Sequence, residues 1–140
     1  MFENIKNRAN SATKAISSIK GSPYFDENFK SSQVEYFGKT LKDNIYLRYN
    51  AFSDEMEMGK TANQNSSEEI LIKNNKVACV IEGDTYRYLG YINENEAPAV
   101  GYVKELFRGD VFSFYRRETK TYMEATTART SLERSFPARF

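Results

Sequence analysis

The chain has no histidine, no tryptophan, one cysteine and three prolines in 140 residues. Without histidine there is no Ser-His-Asp triad, no Cys/His nucleophile, no His-ligated zinc and no imidazole to move protons near neutral pH. The single cysteine, Cys79, cannot close a disulfide within the chain, and inside the apolar run VACVI it reads as a small packed hydrophobe. Such usage fits a reducing cytoplasm and equally a periplasmic protein built without disulfides. The seven glycines are scattered singly, with neither GxGxxG nor GxxxxGK[ST], so no phosphate-cradling loop is encoded. Apolar runs stop at about five residues, against the roughly 20 of a membrane-spanning helix. The N-terminus as given lacks the apolar stretch of a secretory signal, which suits a cytoplasmic protein starting at Met1 or one whose signal precedes this numbering.

What is present is a foldable β composition. Hydrophobic residues make up 40% and aromatics 14%, with ten Tyr and ten Phe, too apolar for a disordered chain and enough for one domain with its own core. Net charge is +1, not the strongly basic balance of a protein that lives on phosphates or anionic lipid. The charge is uneven along the chain. Lys6, Arg8, Lys14 and Lys20 at one end and Arg116, Arg117, Lys120, Arg129, Arg134 and Arg139 at the other flank an acidic middle.

Residues 2–20 place Phe2, Ile5, Ala9, Ala12, Ile16 and Ile19 at alternating steps of three and four, the stripe of an amphipathic helix, with Gly21 and Pro23 to stop it. The stripe is thin, so the helix needs a surface to lie on, on its own domain or on another chain. From residue 33 the period becomes two. QVEYF, NIYLRYNA, EILI, VACVI, TYRYLGYI, VGYVKELF, VFSFYRRE and TYMEA read as strands, with the polar Lys73-Asn74-Asn75-Lys76 joining EILI to VACVI as a hairpin. The expected fold is mainly β: an antiparallel meander, sandwich or small barrel of about eight strands with an N-terminal amphipathic helix. The expected organisation is a helical arm over 1–20, a β domain over 21–125 and a basic tail over 126–140. Residues 59–69 form the most polar stretch and the expected mobile loop.

Candidate chemistry is confined to carboxylates. In LRYNAFSDEMEM, residues 47–58, Asp54, Glu55 and Glu57 crowd together. On a strand Glu55 and Glu57 share one face and Met56 and Met58 the other, so the thioethers are expected inward and the acids in water. Neighbours on one strand face do not supply the opposed carboxyls of glycoside hydrolysis. With Asn50 the three acids offer oxygens to calcium, but their spacing is not an EF-hand loop. No catalytic residue, metal site or cofactor is expected. Tyr86-Arg87-Tyr88 and Phe114-Tyr115-Arg116-Arg117 interleave aromatic and basic residues in the manner of single-strand nucleic-acid platforms, an alternative that the near-neutral charge weakens.

GSPYFDENF at 21–29, LRYNAFSDEMEM at 47–58 and SFPARF at 135–140 give the chain a resemblance to small exported β-rich proteins of Bacteroidota, largely uncharacterised. The resemblance implies a periplasmic or surface β protein without known chemistry. One role it implies is a plug-like accessory subunit of the type 9 secretion outer-membrane translocon. The resulting expectation is a non-enzymatic accessory protein that docks on a larger protein partner and does not span the membrane. Its expected partner-binding residues are Phe2, Ile5, Ile16 and Ile19 in the arm and Arg129, Arg134, Phe136, Arg139 and Phe140 in the tail. The rivals are a stand-alone ligand- or carbohydrate-binding β module and a single-stranded nucleic-acid binder.

Overall fold

The computed structural model describes residues 19–41, 45–67, 69–125 and 136–140. These residues form nine strands and no helix: β1 (Lys30–Tyr36), β2 (Lys39–Thr40), β3 (Ile45–Asn50), β4 (Glu55–Gly59), β5 (Glu69–Ile70), β6 (Val77–Ile81), β7 (Asp84–Ile92), β8 (Pro98–Arg108) and β9 (Ser113–Arg116). Two compact units result, Tyr24–Thr119 and a smaller one of Met1–Pro23 with Lys120–Phe140.

The larger unit is an open antiparallel sheet in the order β5-β4-β3-β1-β6-β7-β8-β9, with β2 beside β1. Period-two alternation makes the strands, and two tight turns set their register. Phe37-Gly38 and Glu82-Gly83 hold positive φ at both positions (48° and 81°, 49° and 88°), the primed geometry whose twist matches the strands it joins. The expected hairpin between EILI and VACVI does not form. β5 pairs with β4, while β6 lies between β1 and β7, so residues 71–76 cross from the sheet edge to its centre. Leu71 drives that crossing. Its N–H donates to the Met56 carbonyl at 2.7 Å and its side chain enters the core at 7% exposure, a burial that a tight polar hairpin would forgo.

One sheet face carries the core: Val34, Leu47, Met56, Leu71, Val77, Cys79 and Tyr102, with Tyr49, Met58, Tyr86 and Tyr88 packed against it. Four strand steps separate β3 from β8, about 19 Å in a flat sheet. Yet the rings of Tyr49 on β3 and Tyr102 on β8 lie 5.8 Å apart, so the sheet curls and folds its core face onto itself. The other face of β3–β4 is covered by the chain before β1. Phe29 packs there so closely that a Cβ on Gly59 would stand 2.8 Å from its ring.

Of the expected helix over 2–20, all but the last two residues lie outside the described residues. Ile19 and Lys20 are not helical, and Lys20 forms a β-bridge to Arg139. TYMEA is not a sheet strand either: in the smaller unit Met123 and Arg139 exchange backbone hydrogen bonds of 2.7 and 2.9 Å. On its other side the 138–140 backbone bonds to Lys20, through Lys20 N–H to the Ala138 carbonyl and Phe140 N–H to the Lys20 carbonyl. Gly21, at φ 79°, lets this bridge close, because a Cβ there would come within 3.3 Å of the Phe140 carbonyl oxygen. Among the described residues there is no helix long and apolar enough to cross a membrane.

Candidate functional site

Within the acidic stretch Glu57 does not face water as expected, while Glu55 stays half-exposed. β3 and β4 pair so that Arg48 lies opposite Glu57, on the face away from the core. The cover of residues 24–29 buries both, at 6% and 7% exposure. Arg48 Nη2 donates to Glu57 Oε1 at 2.7 Å, and Nη1 donates to the carbonyls of Glu27 (2.9 Å) and Asn65 (3.2 Å). The guanidinium carbon also sits over the rings of Tyr24 and Phe29, at 3.9 and 4.3 Å from their centroids. Burial, then the neighbouring Glu57 carboxylate, pushes the Tyr24 phenol up to about 12. Through Asn65 this pair also anchors the polar stretch expected to be mobile.

Asp54 goes elsewhere. At φ 57° in the β3–β4 turn, its Oδ1 accepts from the Tyr49 hydroxyl at 2.6 Å, from Arg117 Nη1 at 3.2 Å and from the Tyr102 N–H at 3.3 Å. The same Arg117 nitrogen donates to the Tyr102 carbonyl at 2.9 Å. Gly101 makes the space, since a Cβ there would lie 2.4 Å from Arg117 Nη1 and 2.6 Å from Asp54 Oδ2. This cluster latches the β3–β4 turn onto β8 and closes the curl. Burial first, and the Asp54 hydrogen bond second, raise the Tyr49 phenol well above its ordinary range. The two carboxylates therefore serve two different arginines and do not converge. Among the described residues no three acidic or thiol groups meet where a metal could be held.

Of the expected partner-binding residues, Phe2, Ile5, Ile16, Arg129 and Arg134 lie outside the described residues. Ile19 is half-buried, while Arg139 sits over the exposed Phe136 ring at 5.3 Å and Phe140 packs on Tyr122 at 5.5 Å. Phe136, Arg139 and Phe140 are thus gathered at one bridge of the smaller unit.

Among the described residues an aromatic cluster open to solvent lies at the end of the β8–β9 hairpin. β8 runs past the start of β7: its last partner there is Glu105, opposite Thr85, so the end of the β8–β9 hairpin projects beyond the strand next to it. Opposite that end Phe107 pairs with Phe114, after a bulge at Leu106. Phe112, in the turn, closes a triangle with centroid separations of 6.0, 6.4 and 5.3 Å. The three phenylalanines remain 51%, 59% and 58% exposed in chain order, and Val111 beside them is 92% exposed. A cluster of this kind keeps its apolar area in water until something covers it. Its signal in the sequence is three phenylalanines bracketing the Arg108-Gly109-Asp110 turn. Alternation along FYRR alone hides it, because the bulge at Leu106 is what brings Phe107 onto the face of Phe114.

A cleft of about 210 Å³ opens elsewhere in the larger unit, between residues 25–30, the β6–β7 turn and Tyr86 and Lys104 of the core face. Two lysines hold its charges in place. Lys30 contacts Asp26 (3.2 Å) and Glu82 (3.3 Å), and Lys104 lies 3.7 Å from both Asp84 and Glu118. Lys104 also stands over the Tyr86 ring at 5.6 Å. Burial lowers the Lys104 ammonium, but Tyr86, Glu118 and Asp84 outweigh it and leave it raised. Of the arginines in the interleaved stretches, Arg87 pairs with Glu105 at 3.1 Å and Arg117 with Asp54, so neither is free for a phosphate.

Compared with known families, curated proteins and solved structures, the chain matches none.

Proposed function

We propose that this chain is a non-enzymatic accessory protein that docks on a larger protein partner through the aromatic end of its β8–β9 hairpin. The observation that carries the reading is the exposed triangle of Phe107, Phe112 and Phe114 with Val111 at its side. Aromatic side chains held in place before binding lose little entropy on association, which is why such groups dominate interface energetics. The resemblance to exported Bacteroidota proteins extends the proposal to a periplasmic setting and an outer-membrane complex, with a plug-like subunit of the type 9 translocon as its most specific form.

A photo-reactive phenylalanine analogue at position 112 tests this in the native envelope. It should cross-link to one larger protein, and the purified pair should bind with an affinity reduced at least tenfold by Phe107→Ser with Phe112→Ser. Unchanged binding by a folded double variant would sink the reading.

The cleft favours a second reading, a module for a neutral polar ligand such as a sugar, because its paired donors and acceptors stand beside the Tyr86 ring. Calorimetric titration with oligosaccharides decides it. Heat that vanishes in Tyr86→Ala would support it, and no heat from wild type would end it.

A further inference from the structure

The two edges of the sheet differ in kind. β5 is two residues long and carries Glu69, the short charged form that discourages pairing with another chain. β9 is the opposite edge, four residues reading Ser-Phe-Tyr-Arg, with no acid and no proline. Among the described residues nothing pairs with its outer side, and Phe114, Tyr115 and Arg116 are all exposed. An edge of this composition is a template for another strand.

We propose that β9 pairs antiparallel with β9 of a second copy of this chain, about a twofold axis at Tyr115, so that Phe114 of each copy lies opposite Arg116 of the other. The register follows from symmetry. An antiparallel pair of identical strands has its axis perpendicular to the sheet, so directly opposed residues share a face and sit an even number of positions apart. An axis at Arg116 would set two guanidiniums against each other, a destabilising like-charge pair. An axis at Phe114 would pair as many β9 residues, since either choice leaves one end of the strand unpaired, but within β9 it would set Ser113 against Tyr115 and no cation against a ring. The axis at Tyr115 stacks the two tyrosines and places each Arg116 over a Phe114 ring, giving two cation–π contacts across the seam. Arg116 is suited to this, because among the described residues its ion pair, to Glu118, is long at 3.5 Å and solvent-exposed. A net charge of +1 per chain sets no long-range repulsion against the dimer.

The proposal goes beyond docking on a larger partner, since it uses the backbone edge of β9 and leaves Phe107, Phe112 and Val111 at the hairpin end uncovered. A seam of three residues from each strand is small, so the association is expected to depend on concentration.

The test is a cysteine placed on the axis. Cβ atoms directly opposed across a strand pair belong to residues about 4.5–5.5 Å apart at Cα, within the range a disulfide bridges. Tyr115→Cys, oxidised with diamide, should give a covalent dimer, while Phe114→Cys, which faces Arg116, should not. The native Cys79 is fully buried and does not compete. Sedimentation of the wild type should show a monomer–dimer equilibrium that Tyr115→Lys shifts at least tenfold toward monomer. A wild type that stays monomeric at every concentration, or cross-linking through Phe114→Cys in place of Tyr115→Cys, overturns the proposal. Loss of co-purification with a larger partner, with the dimer intact, would touch only the docking reading.

Discussion

Arg48 and Glu57 face each other across β3 and β4 and join at 2.7 Å, both sealed from water by Tyr24 and Phe29. Glu57 is not the solvated acid that strand alternation suggests, because the chain before β1 covers this face. Removing one partner leaves a buried charge unpaired, which costs roughly 3–5 kcal/mol, whereas replacing both by apolar residues of similar volume is often neutral. Glu57→Leu alone should therefore lower unfolding free energy in urea by about that amount, and Arg48→Met with Glu57→Leu should recover most of it. Glu55→Gln, on the half-exposed neighbour, should stay within about 0.5 kcal/mol of wild type. Equal losses for Glu55→Gln and Glu57→Leu would contradict the burial assigned to this pair.

The Asp54 latch separates backbone from charge. Asp54 holds φ at 57°, where Asn is tolerated and Ala is strained. Asp54→Asn keeps an oxygen acceptor and should cost about 1–2 kcal/mol, while Asp54→Ala abandons three hydrogen bonds and adds backbone strain, for roughly 3 kcal/mol or more. Gly101→Ala attacks the same latch from β8, since its Cβ would collide with Arg117, and should cost about 1–3 kcal/mol. Urea unfolding of the three variants gives the order. If Asp54→Asn and Asp54→Ala proved equal, the left-handed backbone would carry no weight.

Most strands were legible in the sequence because they rest on a local rule, the period-two alternation of NIYLRYNA and TYRYLGYI. What was not legible depended on distant segments. EILI and VACVI look like a hairpin until Leu71 is seen to be needed in the core, and Arg48 and Glu57 look solvated until Phe29 is placed above them. The phenylalanine triangle needed the bulge at Leu106, which period-two reasoning excludes by construction.

Alkaline pH tests the tyrosine-rich core. The ordinary phenol lies at 10.0, and burial raises Tyr24 to about 12 and also raises Tyr49, Tyr86 and Tyr102. A group whose pKa is higher folded than unfolded stabilises the fold fully below its unfolded value and loses that contribution as pH rises toward the folded one. Here the unfolded chain sheds protons first, so stability should be level up to about pH 9 and fall steeply from pH 10 toward 12. Tyrosinate absorbance and far-ultraviolet circular dichroism should change together in that window. Complete tyrosine ionisation with the β signal intact would show that these phenols are not held buried by the fold.

Cys79 reports on opening of the same core. It is fully buried at the centre of the sheet between β1 and β7, and burial pushes its thiol up to about 12, so almost no thiolate exists at neutral pH. The thiolate is the reactive form, and a reagent reaches it only when the surrounding strands separate. Modification by an aromatic disulfide should therefore be slower than for a free thiol by a factor on the order of 10³ or more, the ratio set by the folding equilibrium. Its logarithmic rate should rise linearly with urea below the transition, with the slope of global unfolding. Cys79→Ala, which leaves a small cavity among Val34, Leu47 and Val77, should cost about 1–2 kcal/mol. Fast labelling of the native protein, or a rate independent of urea, would place Cys79 outside the cooperative core that joins β1, β6 and β7.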